Sequence, residues 1–223
     1  MSSPAPRRDG SRTSPPTSSG VRRAHARRGP VSQPLLLLGV MWALEILDAL
    51  LGGRLDSAGI QARDLDGLLG VLWSPLLHGG FDHLLSNTLP LLVLGTLVAA
   101  SGTGIFWRVS AVVVVVGGLG TWLIAPAGTT TIGASGLVFG YLGYLLVAGI
   151  RTRHWLDLLI GLAVLLVYGS LLVGALPWAV SSAVSWQAHL TGALAGGAAA
   201  WWLAPRVSAS SGGTGARGRS PGS

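Results

Sequence analysis

Six long apolar segments, separated by short polar stretches, dominate the hydrophobic pattern of this 223-residue chain. Each comes close to the roughly 20 residues that a helix needs to cross a bilayer. Glu45 and Asp48 interrupt the first segment, and the fourth is short. The pattern predicts an all-α membrane protein, a bundle of six transmembrane helices. The predicted spans are residues 34–51, 83–101, 105–125, 135–150, 155–175 and 184–204.

Polar tails flank the predicted bundle. Residues 1–33 are rich in Ser, Pro, Arg and Gly, and residues 205–223 have a similar composition. Such segments bury too little apolar surface to fold, so we expect two disordered tails around a domain at 34–204. A signal peptide is the alternative interpretation of the first span. That span is long for a signal peptide and no convincing small-x-small cleavage site follows it, so we interpret it as a retained helix.

The composition agrees with a membrane class. Half of the residues are hydrophobic and 10% are charged, whereas soluble domains carry about 25% charged residues. The chain contains no cysteine, which excludes a disulfide framework and a thiolate site. No metal and no cofactor is predicted.

The distribution of charge predicts an orientation. All fifteen basic residues are arginine, and seven of them precede residue 29, without interleaved aromatic residues. This arrangement favours contact with anionic lipid headgroups over nucleic-acid binding. The arginines after the second and fourth spans and in the two tails all fall on one side of a six-span topology. The positive-inside rule therefore predicts that both termini lie in the cytoplasm. The expected location is the plasma membrane, as a multi-pass protein of bacterial type.

With this orientation, four polar side chains lie at a similar shallow depth below the outer surface. His83 and Asn87 occupy positions i and i+4 at the start of the second span, so they share one helix face. Ser135 opens the fourth span, and His189 lies about five residues into the sixth. A serine hydroxyl and an imidazole within about 2.6–3.2 Å of each other can act as nucleophile and base.

Glycines accompany both candidate catalytic residues. His189 and Gly192 share a helix face at i and i+3, and Gly136 and Gly140 follow Ser135. Small residues allow membrane helices to approach closely, which would bring the hydroxyl to the imidazole. The alternative is that the glycines serve packing only and that the serine bonds to its own helix. Ionisable groups inside spans are costly and usually functional, so the convergence of four polar residues favours one site.

Three segments of the chain resemble the rhomboid family of intramembrane serine proteases, in the same order and on the corresponding spans. They are His78–Asn87 (HGGFDHLLSN), Gly133–Gly136 (GASG) and Ala188–Gly192 (AHLTG). The resemblance extends over residues 34–204. It implies a six-helix bundle with a water-accessible cavity that opens to the outside.

The resemblance also implies roles for individual residues. Ser135 would be the nucleophile and His189 the general base and acid, without a third acidic residue. His83, Asn87 and the backbone N–H of Ser135 would form the oxyanion hole. The supporting residues would be Gly133, Gly136, Phe139 and Gly192. The expected activity is endopeptidase cleavage of transmembrane protein substrates near the outer membrane face, with lipids as the other partners.

Two positions depart from the family pattern. Phe139 stands where the family commonly has a tyrosine that stacks on the catalytic histidine, so stacking is expected without the hydroxyl. Leu69-Gly70 stands where the first outer loop usually carries a Trp-Arg pair, so this loop is expected to pack differently. The main alternative function is a catalytically inactive relative that binds membrane helices in quality control. A small transporter would predict polar residues lining both halves of the bundle or an internal repeat, and the sequence has neither.

Overall fold

The computed structural model describes residues 29–152 and 185–204, together with positions 159, 162 and 163. Helices account for most of the described chain. They are α1 (Ser32–Leu50), α2 (Gly70–Trp73), α3 (Phe81–Ala100), α4 (Thr103–Val112), α5 (Gly118–Ile124), α6 (Ser135–Thr152) and α7 (Trp186–Leu203). Two short strands, β1 (Ile60–Gln61) and β2 (Thr130–Thr131), pair antiparallel.

Four described helices are long and apolar enough to cross a membrane: α1, α3, the continuous helix 103–124 and α6. They start and end within two residues of the predicted spans. The predicted sixth span corresponds to α7, which is not among these four helices. The predicted fifth span lies outside the described residues apart from three positions, and so do residues 1–28 and 205–223 of the predicted tails.

The helix from residue 103 to residue 124 is regular except at one wide π-turn, Val113–Gly117, which joins α4 to α5. Single π-turns inside α-helices occur often at functional sites. The buried side chain of Val113 fills the space left by Gly140 of α6, where an added Cβ would lie 2.5 Å from the valine methyl groups. The wide turn therefore lies against the same helix that begins at Ser135.

Helix α6 is central among the described helices. More than half of its candidate span is buried, against a third for α1 and for the helix 103–124. It packs on α3 on one side and on α7 on the other. Its buried Tyr141 hydroxyl lies 2.7 Å from the hydroxyl of Ser110 in α4. The candidate nucleophile, Ser135, is the first residue of this central helix.

The loop between α1 and α3 consists of short turns that are tied to the segment preceding α6. Strand pairing joins Ile60 to Thr131. The Arg63 guanidinium donates two hydrogen bonds, of 3.3 and 2.9 Å, to the carbonyl of Ala125 at the end of α5. A Cβ at Gly70 would overlap the Gly59 carbonyl, while Leu69 beside it is exposed. Leu69 and Gly70 stand where the family usually has a Trp-Arg pair, so at these positions one residue is exposed and the other packs directly on backbone.

The two acidic residues of α1 are both buried. An oxygen of the Asp48 carboxylate accepts a hydrogen bond of 2.6 Å from the backbone N–H of Leu55. Asp48 therefore anchors the start of the loop that follows its own helix. Glu45 lies one turn earlier on the same helix.

Candidate active site

The turn that leads into Ser135 is fixed by the loop between α1 and α3. The backbone N–H of Gly133 donates to the carbonyl of Ser74 (2.9 Å), and the Ser74 hydroxyl donates to the carbonyl of Thr131 (2.9 Å). Gly133 has a φ of +115°, which favours glycine, and a Cβ there would lie 2.7 Å from the imidazole of His83. A residue other than glycine would therefore disturb both the turn and the histidine.

His78 supplies a third bond to this turn. Its Nε2 accepts a hydrogen bond of 3.2 Å from the backbone N–H of Ala134, the residue before Ser135. Burial, and after it the neighbouring imidazole of His83, lowers the pKa of His78 to about 4, while the backbone of Leu76 acts in the opposite direction. His78 is therefore neutral at pH 7, as an acceptor must be. This histidine belongs to the first of the three sequence motifs, but no role was predicted for it.

His83 and Asn87 lie on one face of α3, as their spacing predicts. The His83 ring stands edge-on to that of His78, with 5.1 Å between the ring centres. Asn87 is buried, and its side-chain amide donates a hydrogen bond of 3.1 Å to the His83 carbonyl one turn earlier. The structure brings His83 to the turn that precedes Ser135, while this bond directs one of the two amide hydrogens of Asn87 to its own helix.

Helix α7 begins at a serine cap that sets the position of His189. The Ser185 hydroxyl accepts a hydrogen bond of 3.3 Å from the backbone N–H of Ala188. His189 follows one turn into the helix and is 1% exposed. The ring of Phe139 stacks on its imidazole, with 4.3 Å between the ring centres and 16° between the planes. The stacking expected of Phe139 is therefore confirmed.

Helices α6 and α7 approach so closely that their backbones touch. A Cβ at Gly192 would overlap the carbonyl of Gly136. A Cβ at Gly136 would lie 3.5 Å from the carbonyl of Ala188. Because Ser135 precedes Gly136 and His189 follows Ala188, this contact brings the candidate nucleophile and base to the same end of the interface. The prediction that these glycines let the two helices approach closely is confirmed.

A cavity of about 30 Å³ opens beside this contact. Its walls include Gly133, Gly136, Ala188 and Gly192, together with polar side chains from three separate elements. Those polar side chains belong to Ser74, Thr121 and Thr131. A water molecule needs at least about 10–15 Å³ of such space and two to four polar partners. The cavity therefore has room for water next to the candidate nucleophile.

A family model described as the Rhomboid domain matches residues 66–206, which is more than half of the chain. The chain belongs to the rhomboid family. The match contains every predicted site residue, whereas α1 with Glu45 and Asp48 lies before it. The membrane class predicted from the apolar segments and the family predicted from the three motifs are thus confirmed.

Mycobacterial proteins are similar to this rhomboid-family chain. An uncharacterized protein of Mycobacterium tuberculosis is 47% identical over 175 residues, which are 76% of this chain and 73% of that protein. An uncharacterized protein of Mycobacterium leprae is 42% identical over 175 residues, which are 76% of this chain and 69% of that protein. These relatives extend the similarity over more of the chain, and they add no information on activity.

Proposed function

We propose that this rhomboid-family protein is an intramembrane serine endopeptidase that hydrolyses peptide bonds of transmembrane proteins near the outer membrane face. The observation that carries the proposal is the contact between α6 and α7. There Gly136, next to Ser135, lies against Ala188, next to His189, and Phe139 stacks on the imidazole. We further propose the complete six-span topology, with both termini in the cytoplasm, because the arginines of both tails and those after the second and fourth spans fall on that side, against only Arg54 and Arg63 on the other.

Ser135 and His189 would share the covalent steps. Neutral His189 takes the proton of the Ser135 hydroxyl as Oγ attacks the substrate carbonyl, giving a tetrahedral oxyanion. The imidazolium then gives this proton to the leaving amine, the C–N bond breaks, and an acyl-enzyme remains. In the second half His189 takes a proton from water as the water oxygen attacks the ester carbonyl. The bond between that carbon and Ser135 Oγ then breaks, the carboxyl product leaves, and the imidazolium returns the proton to Oγ.

Three groups would donate hydrogen bonds to the oxyanion. Ser135 is the first residue of α6, and the first N–H groups of a helix have no partner within it, so its backbone N–H can point at the negative oxygen. The His83 imidazole lies against the turn immediately before Ser135. The second amide hydrogen of Asn87 would complete the set. Each such donor contributes about 10²–10³ in rate in a site that excludes water.

The substrate segment must be locally extended, because a helix engages its own carbonyl groups and hides them from a nucleophile. Small or helix-breaking residues near the scissile bond should therefore raise the cleavage rate. The cavity beside Gly133 and Gly136 would hold the water that the second half of the reaction consumes.

The test is cleavage of a transmembrane substrate by the purified protein in liposomes. We expect Ser135→Ala and His189→Ala to lower kcat at least about 10³-fold. Ser57→Ala, in the exposed turn Leu55–Ala58, is the matched control and should cleave at the wild-type rate. A fluorophosphonate should label the wild type and Ser57→Ala but not Ser135→Ala.

Two results would contradict the proposal. Cleavage that persists in both Ser135→Ala and His189→Ala would exclude the dyad. Substrate binding by the wild type without cleavage, and without fluorophosphonate labelling, would instead identify the protein as an inactive helix-binding relative.

A further inference from the structure

The wide turn between α4 and α5 presents one carbonyl group to two threonines. The Thr121 hydroxyl, from α5, donates to the carbonyl of Gly117 at 2.9 Å. The Thr191 hydroxyl, from α7, lies 2.8 Å from the same oxygen. Gly117 is the last residue of the π-turn, so the irregular part of this helix is the part bonded to α7.

The two hydroxyl groups are also bonded to each other. Their oxygens lie 2.9 Å apart, and the Thr191 hydroxyl lies 2.8 Å from the carbonyl of Gln187 one turn earlier in α7. Each hydroxyl carries one hydrogen. The acceptors available to these two hydrogens are the carbonyl oxygens of Gly117 and Gln187 and the hydroxyl oxygen of the neighbouring threonine. The result is a compact polar cluster of Gly117, Thr121, Gln187 and Thr191 between two helices.

The cluster lies in a close backbone contact. A Cβ at Gly117 would lie 3.2 Å from Cα of Gly192, and a Cβ at Gly120 would lie 2.9 Å from the methyl group of Thr191. Thr121 is 1% exposed. Hydrogen bonds in such a site are directional, whereas glycine contacts allow close approach without fixing how a helix is rotated.

Helix α7 therefore has two different faces next to the site. Gly192 rests on Gly136 of α6 through packing alone, while Thr191, the preceding residue, is hydrogen-bonded to the π-turn. His189 lies two residues before Thr191. A displacement of about 1 Å in a catalytic group can lower a rate by about 10². Fixing the rotation and the depth of α7 therefore fixes where the imidazole stands.

We infer that Thr191 and Thr121, through the carbonyl of Gly117, are positioning residues that hold α7 in the rotation and depth at which His189 serves Ser135. This inference rests on the proposed function. Thr191 touches neither the substrate nor the reacting atoms in this scheme, while Thr121 also forms part of the wall of the water cavity. The effect of Thr191 reaches the reaction only through the orientation of the imidazole.

The kinetic test compares Thr191→Val, which removes the hydroxyl and keeps the shape, with Thr191→Ser, which keeps the hydroxyl. We expect Thr191→Val to lower kcat at least 10-fold with KM within 2-fold, and Thr191→Ser to restore at least half of the wild-type kcat. Thr191→Ala serves where the valine variant fails to fold. Thr96→Val is the matched control, because the Thr96 hydroxyl donates to the Leu92 carbonyl within its own helix α3.

A second test reads the position of α7 without any chemistry. The chain lacks cysteine, so spin labels can be attached at Leu119→Cys in α5 and Leu194→Cys in α7, both exposed positions. Pulsed electron paramagnetic resonance should give one narrow distance distribution for the unsubstituted background and for Thr96→Val. Thr191→Val should shift or broaden it.

The two tests separate this inference from the proposed function. Wild-type kcat in Thr191→Val and Thr191→Ala, or a loss of kcat that Thr191→Ser does not reverse, would overturn the positioning role. An unchanged distance distribution in Thr191→Val would overturn it even in a protein that shows no cleavage. Failure of the proposed function would appear separately, as a wild type that a fluorophosphonate does not label.

Discussion

Helices α6 and α7 meet backbone to backbone, whereas α1 and α3 meet through their side chains. At the first interface Gly192 and Gly196 lie against the carbonyl groups of Gly136 and Gly140. At the second, the indole N–H of Trp42 donates to the hydroxyl of Thr88 at 3.2 Å, and the Trp42 ring stacks on Phe81 with 6.1 Å between centres. Both interfaces hold apolar helices together, but they tolerate change differently.

The difference follows from what can move. A side chain can change its rotamer to accommodate an added methyl group, whereas a helix backbone can only shift as a whole. The interface that carries Ser135 and His189 is therefore the one in which small changes have the largest consequences. The α1–α3 interface, which includes no proposed catalytic residue on α1, should accept substitutions at moderate cost.

The strongest test of this comparison is Gly196→Ala. The new Cβ would overlap the carbonyl of Gly140, so α6 and α7 must separate. We expect the free energy of unfolding to fall by at least about 3 kcal/mol, which is the upper end of the usual range for overpacked sites. Reversible unfolding in mixed micelles measures this change.

Gly39→Ala in α1 is the matched control. A Cβ at Gly39 has no heavy atom within 4 Å, and alanine is favoured over glycine inside a helix by about 1 kcal/mol. This variant should be as stable as the wild type or more stable. If the two alanine variants lose equal stability, the loss in Gly196→Ala does not come from the backbone contact between α6 and α7.

The sequence predicts the apolar helices and the faces of the candidate site because both depend on local patterns. Hydropathy over about 20 residues locates a span wherever it packs, and the i, i+4 spacing places His83 and Asn87 on one face without knowledge of their partners. The motif at Ser135 and the glycines beside His189 follow from the same short-range reasoning. These are the features that agree between the sequence and the structure.

The contacts between distant segments could not be predicted in this way. Nothing near Ser74 in the sequence indicates that it bonds to Thr131 and Gly133. The π-turn at Val113–Gly117 lies in a run of valines with no local signal, and it is visible only in the backbone of the folded helix. Such contacts depend on how the helices are arranged in three dimensions, which periodicity does not encode.

His78 allows a test of whether the part of the molecule that carries the candidate site depends on hydrogen bonds as well as on packing. Its pKa is about 4 in the folded protein, against about 6.5 in an unfolded chain. Between these values the unfolded chain takes up a proton that the folded protein does not, so the free energy of unfolding falls as the pH falls. The contribution is complete above pH 6.5, and about 3 kcal/mol is lost by pH 4.

The matched variant is His78→Gln, whose amide oxygen can still accept from the Ala134 N–H but does not titrate. We expect near wild-type stability at pH 7.5 and a clearly smaller decrease between pH 6.5 and pH 4, measured by unfolding at each pH. His78→Leu leaves the Ala134 N–H without this acceptor and should cost about 1–3 kcal/mol at pH 7.5. An equally steep decrease in the wild type and in His78→Gln would assign the pH dependence to other groups.

The smallest expected effect is at the α1–α3 interface. Trp42→Phe removes the indole N–H that donates to Thr88 but keeps an aromatic ring against Phe81. Hydrogen bonds between membrane helices contribute about 0.6 kcal/mol on average, and the Thr88 hydroxyl keeps its bond to the carbonyl of Leu84. The variant should therefore lose less than about 1 kcal/mol of unfolding free energy and retain the wild-type kcat. A loss as large as that of Gly196→Ala would show that α1 is held as rigidly as the α6–α7 pair, and the contrast between the two interfaces would have to be abandoned.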